Sequence, residues 1–170
     1  MTSLRVKRLC LDAMLLGVAL MLSYLEAILP LSVLIPLPGV KPGLANVAVM
    51  ICFYKISHMD ALLVTGARVV ITAMLFGNIS SLVFSVFGAL FAYTGMYLVL
   101  LFREKVSYYG ISVFCAALHN IGQCVAGIII LDSISVISYL PLLLVFSVIF
   151  GFITGAVITP ISKLRLFSNV

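Results

Sequence analysis

The chain has 170 residues, 64% of them hydrophobic and 9% charged, with a formal net charge of +5 and a mean hydropathy of +1.33. A soluble domain averages about 25% charged residues, so too little polar surface is present here to coat a water-soluble globule. The composition excludes a soluble protein and requires an integral membrane one.

A spanning helix takes about 20 apolar residues. Six segments meet or approach that length: about 9–29, 43–56, 59–77, 79–102, 108–131 and 138–162. The expected fold is an all-α integral membrane bundle of six transmembrane helices, forming one membrane domain over 1–170. The first apolar run, Cys10 to Leu29, follows Arg5, Lys7 and Arg8 as the core of a signal peptide would. No small-x-small cleavage site follows it, so it reads as a retained first helix. The loop 30–42 is apolar and Pro-rich, with Pro30, Pro36, Pro38 and Pro42 set among Leu31, Val33, Leu34, Ile35 and Leu37. Prolines forbid a regular helix, and the apolar residues forbid a free aqueous loop. A segment folded back against the bundle at membrane depth satisfies both. The second helix rises only about 20 Å and needs that loop to complete a crossing.

Lys and Arg mark the cytoplasmic side. With the N-terminus inside, Arg5, Lys7, Arg8, Lys55, Arg103, Lys105, Lys163 and Arg165 all fall there, eight of the ten. Only Lys41 is outside, and Arg68 lies in mid-helix. The expected location is the cell membrane, multi-pass, with both termini cytoplasmic. The positive charge is thus a topology signal, and no nucleic-acid partner is expected. Cys10, Cys52, Cys115 and Cys124 show no CxxC spacing, so they read as buried thiols rather than a zinc or redox site.

Within the fifth segment stands Leu118-His119-Asn120-Ile121-Gly122-Gln123. His119 and Gln123 share a helix face, and hydrocarbon is a poor solvent for imidazole and amide groups. The topology places His119 and Arg68 near mid-depth, with Thr65 and Thr72 on the face of Arg68. Helices 2 and 4 start outside, so Asn46 and the run Asn78, Ser80 and Ser81 open those helices, with Asn78 an N-cap. Ser85 is one turn further, and Glu26 is near the outer end of helix 1. Lys41, Asn46, Arg68, Asn78, Ser80, Ser81, Ser85, His119, Asn120 and Gln123 therefore form a candidate substrate-binding pocket in the outer half. The ligand expected there is a small molecule, either anionic or carrying a prenyl or ring moiety; two cations and two helix N-termini suit an anionic group. The alternative is an internal hydrogen-bond seam with Arg68 paired to Glu26.

Small residues recur at four-residue spacing: Ala13 and Gly17 in helix 1, Gly151 and Gly155 in helix 6. Such faces allow close helix approach, within the chain or to a partner protein. The Ala13–Gly17 face is the better partner candidate, being near the cytoplasm. The acids Asp12, Glu26, Asp60, Glu104 and Asp132 are scattered. No metal site, cofactor or nucleotide-binding loop is indicated, and catalysis by this chain alone is not expected.

Lys41-Pro42-Gly43-Leu44-Ala45-Asn46, Arg68 with Leu75-Phe76-Gly77-Asn78, and Leu118 to Gln123 together resemble the family called heptaprenyl diphosphate synthase component I, or Gx transporter. The resemblance runs from about residue 10 to 160. Pro42 departs from the pattern, which has an aliphatic residue after the lysine. That family is similar to the S-components of energy-coupling factor (ECF) uptake transporters. The resemblance implies a six-helix S-component-like bundle with an outward pocket capped by loops. It also implies coupling to a transmembrane T-component and two cytosolic ATPases, with Ala13 and Gly17 where S-components meet the T-component. The synthase name implies prenyl diphosphate synthesis, yet the aspartate-rich motifs of such synthases are absent. The name would then describe a membrane accessory subunit of polyprenyl diphosphate or quinone biosynthesis. A further alternative is a stand-alone secondary transporter, with Glu26 or His119 as the coupling group.

Overall fold

A computed structural model describes residues 2–28, 40–101 and 106–163. Most of the loop 30–42 and the basic residues Arg103, Lys105 and Arg165 lie outside the described residues. Six α-helices are seen: α1 (Thr2–Ile28), α2 (Asn46–Lys55), α3 (His58–Phe76), α4 (Ile79–Leu100), α5 (Tyr108–Leu131) and α6 (Leu140–Ile161), with a 3₁₀ segment Ile134–Tyr139 before the last. No strand occurs among the described residues. Five helical spans are long and apolar enough to cross a membrane; α2 is not among them.

Local chemistry sets the helix ends. The Ser57 hydroxyl accepts from the Met59 N–H at 3.2 Å, the Asn78 carboxamide from Ser81 N–H at 2.7 Å, and the Ser107 hydroxyl from Gly110 N–H at 3.2 Å. Each satisfies a donor that has no partner within its helix. Asp132 closes α5 in the left-handed region, at φ 46°, and Pro141 stands at the start of α6, where no N–H is required.

Two boundaries differ from expectation. α1 starts at Thr2 rather than near residue 9, because the basic residues continue the helix and Arg8 pairs with Asp60 of α3. α2 starts at Asn46 rather than 43, because Gly43 takes φ +83°, which no helix residue adopts. A turn replaces the missing helical residues, with Asn46 N–H donating to Gly43 C=O and Val47 N–H to Leu44 C=O, both at 3.1 Å.

In space the long helices form an arc in the order α1, α3, α4, α5, α6. The short α2 fills the concave side and touches α1, α3, α4 and α6. That position explains its sequence: Asn46 through Phe53 are all buried, so the helix is apolar all round below its first residue. Packing is closest where α5 meets α4 and α6. There glycines let backbones touch. A Cβ on Gly122 would sit 2.5 Å from the Phe87 carbonyl oxygen, and one on Gly151 would sit 2.5 Å from Val113 Cα. Gly155 likewise meets Tyr109, so the Gly151–Gly155 face is spent inside the chain. By contrast, α3 and α4 touch sparsely. Cys52, Cys115 and Cys124 are buried, as buried thiols would be; Cys10 is exposed.

Candidate functional site

The turn Lys41–Ala45 lies across the middle of α5. Gln123 holds it with both ends of its carboxamide: Nε2 donates to the Lys41 carbonyl at 3.0 Å, and Oε1 accepts from the Lys41 N–H at 3.3 Å. This reciprocal pair joins residues 82 apart in sequence. It also orients the amide, so the Nε2 that lies 2.9 Å from His119 Nε2 is a donor. The ring proton of a neutral imidazole is therefore assigned to Nδ1.

Two glycines flank the His119 ring. A Cβ on Gly43 would be 3.1 Å from Cδ2, and one on Gly88 of α4 would be 2.6 Å from Cε1. The ring thus fills a slot between the turn and α4, and it is 3% exposed. Its Nδ1 is 3.1 Å from the Asn46 carboxamide, which also accepts from Arg68 Nη2 at 3.5 Å. One amide oxygen cannot face both. If it turns to His119 Nδ1–H, Arg68 meets an NH₂ group; if it faces Arg68, His119 does.

Arg68 and Glu26 are 5% and 3% exposed. The alternative in which Arg68 pairs with Glu26 is not seen: among the described residues the ion pair within 4 Å is Arg8–Asp60. Glu26 instead accepts from Ala45 N–H at 3.3 Å, in the turn before α2. Arg68 Nε and, one turn on, the Thr72 hydroxyl are buried with no hydrogen-bond partner. Burial of unpaired polar groups costs about 1–3 kcal/mol each, more when charged, so these orphans mark a place that wants an acceptor. Lys41 Nζ donates to the Ser85 hydroxyl at 3.3 Å.

Lys41, Asn46, Arg68, Ser85, His119 and Gln123 are thus brought together, with Glu26 beside them. Four other candidate residues, Asn78, Ser80, Ser81 and Asn120, are not part of that network. Asn78 is exposed and spends its side chain capping α4. Ser81 is buried one turn from Ser85 and serves that cap through its backbone, with Ser80 half-buried beside it. Asn120 faces α6, where its Nδ2 donates to the Leu143 carbonyl at 2.8 Å and the Ser147 hydroxyl at 2.9 Å. The residues next in sequence on a helix point about 100° apart, which is why His119 and Asn120 part company. Gly88 and Thr72 belong to the site yet were outside the candidate set. Gly88 carries no local signal, whereas Thr72 had been placed on the face of Arg68 without being counted in the pocket. Ala13 and Gly17 are exposed, and a Cβ on Gly17 would meet nothing within 4 Å. Among the described residues no group of three or more His, Cys, Asp or Glu is placed to hold a metal ion.

Fold and cluster define a helical membrane protein with a charged interior, in which turn, short helix and three long helices converge on His119 and Arg68. The chain belongs to the heptaprenyl diphosphate synthase component I family, whose model matches residues 15–161. No curated protein and no solved structure matches it.

Proposed function

We propose that the chain is the substrate-binding membrane subunit, S-component-like, of an energy-coupling factor uptake transporter. It binds a small molecule with an anionic group among Arg68, Lys41, Asn46, Ser85, His119 and Gln123. The observation that carries this reading is Arg68: a buried guanidinium in mid-helix, not in contact with Glu26, with Nε unpartnered. Charge inside a membrane is expensive and is kept where it works. Nothing in the residues points to nucleotide hydrolysis, so uptake would draw on a T-component and two ATPases. The open Ala13–Gly17 face of α1 supports such a contact, because small residues let a partner helix approach. The distribution of Lys and Arg favours cytoplasmic termini in the cell membrane, which puts the cluster in the outer half.

Native mass spectrometry of gently purified protein is expected to find a retained small molecule, lost in Arg68→Ala and His119→Ala. Affinity unchanged by both substitutions would defeat the pocket. Co-purification is expected to bring down a T-component and two ATPases; assembly that survives both Ala13→Trp and Gly17→Trp would defeat the partner face. A second reading, a non-catalytic membrane subunit of polyprenyl diphosphate synthesis, draws support from the family's description. It predicts instead a soluble prenyl synthase in the same purification.

A further inference from the structure

One edge of the Arg68 guanidinium is loosely held at one nitrogen and unpartnered at the next. Nη2 donates to the Asn46 carboxamide oxygen at 3.5 Å, the long limit of hydrogen bonding. Nε, on the same edge, is buried with no hydrogen-bond partner. The planar group directs Nε–H and one Nη2–H side by side, the spacing that two oxygens of one carboxylate or phosphate accept. A single amide oxygen cannot fill both places.

The chain's own acceptors are each kept from that edge. Asn46 is 6% exposed, and the other end of its carboxamide lies 3.1 Å from His119 Nδ1. The His119 ring is itself held by Gln123, so the Asn46 oxygen is not free to swing inward and shorten its contact. The Glu26 carboxylate accepts from Ala45 N–H at 3.3 Å and does not come within ion-pair distance of Arg68. The N–H groups of Asn46 and Val47, which open α2, are no rival donors, because they bond the Gly43 and Leu44 carbonyls. A buried guanidinium edge that a neighbouring amide meets only halfway, and that a neighbouring carboxylate does not meet, is set for an acceptor from outside the chain. The neutrality of Asn46 matters here. A carboxylate in its place would close the edge, since a buried ion pair is costly to break once made.

We propose that the Nε–Nη2 edge of Arg68 takes two oxygens of a ligand's carboxylate- or phosphate-type group side-on, and that Asn46 is a neutral stand-in for one of those oxygens, displaced when the ligand binds. This rests on the polar cluster being a ligand site, and it makes Asn46 the residue that keeps Arg68 exchangeable.

The test is the unfolding temperature in detergent, measured against acetate, a planar probe, and sulfate, a tetrahedral one, with ionic strength held constant by chloride. The wild type is expected to be stabilised; a response to acetate marks a carboxylate ligand and a response to sulfate a phosphate-type one. Arg68→Gln and Arg68→Lys are both expected to abolish the response, the second because an ammonium keeps the charge but not the fork. Asn46→Asp is expected to raise the unfolding temperature without any probe by about 4 °C or more, the scale of one charge-assisted hydrogen bond in a chain of this size. The same substitution is expected to raise the half-effective probe concentration about tenfold or more, because the built-in carboxylate holds the edge. A role in packing alone would not move stability and probe response in opposite directions. A response that survives Arg68→Lys, or an Asn46→Asp protein that is no more stable than the wild type and responds as well, overturns the fork and the stand-in while the ligand site remains. If Asn46→Asp stabilises but neither probe acts through Arg68, the ligand-site reading falls and takes this proposal with it.

Discussion

Gly88→Ala is the sharpest probe of how His119 is held. The added methyl would sit 2.6 Å from His119 Cε1 and 2.9 Å from both ring nitrogens, well inside van der Waals contact. The ring cannot slide away cheaply. Gly43 closes the opposite face, with only 3.1 Å between a would-be Cβ and Cδ2, and Gln123 holds Nε2 at 2.9 Å. Overpacking of this kind costs about 1–3 kcal/mol. Displacing the ring also strains its two amide contacts, at about 1 kcal/mol each. Against this, Ala gains about 1 kcal/mol over Gly in a helix. The net expectation is destabilisation by about 2–4 kcal/mol. For a chain of this size that is a fall of about 2–4 °C in unfolding temperature per kcal/mol, read in detergent by intrinsic tyrosine fluorescence or circular dichroism. The same substitution made in a His119→Ala background should be neutral or stabilising, because the clash is gone and the propensity gain remains. The difference between the two backgrounds is the coupling energy. If Gly88→Ala is neutral with His119 in place, the ring does not lie against α4, and the tautomer and donor arguments built on that slot collapse.

Three further outcomes follow from the geometry. Gly43→Ala forces a side chain to φ +83° and into contact with His119 and Asn46, so it should cost about 1–2 kcal/mol or more and lower the unfolding temperature accordingly; no change would mean the turn is built differently. Gln123→Leu removes both ties to the Lys41 backbone, at about 1 kcal/mol each, and should speed hydrogen exchange at the Lys41 amide; unaltered protection there would contradict the clasp. Gly151→Leu must push α6 off the Val113 backbone and should cost about 3 kcal/mol or more, whereas Gly17→Leu meets open space and should leave the isolated chain's unfolding temperature unchanged; equal effects would refute the assignment of one face to the inside and the other to the outside.

Much was legible from composition and order alone. Hydropathy implied membrane residence, and apolar run length marked the five long helices, because a bilayer imposes a minimum length that few other environments demand; the ten-residue α2 falls short of it. Capping chemistry is local, so Asn78 could be recognised as the start of α4 from its neighbours. The polar cluster was also foreshadowed, since polar groups in apolar runs are rare enough to be counted.

What the side chains do there was decided only by packing. The sequence left open whether Arg68 pairs with Glu26; in the fold the turn before α2 supplies an N–H that takes the Glu26 carboxylate. Asn120 was grouped with its neighbour His119, yet helical rotation sends it to α6, a helix whose position no local pattern states. Lys41 and Gln123 clasp across 82 residues, and Gly88 became part of the site only because α4 presses against α5. Helix existence is written in runs of about twenty neighbouring residues. Pairing between helices depends on rotation and register, which change with every residue and are set by the whole bundle at once. That is why the inventory of the His119–Arg68 cluster could be read from the chain, while its partners and its orphans came only with the tertiary structure.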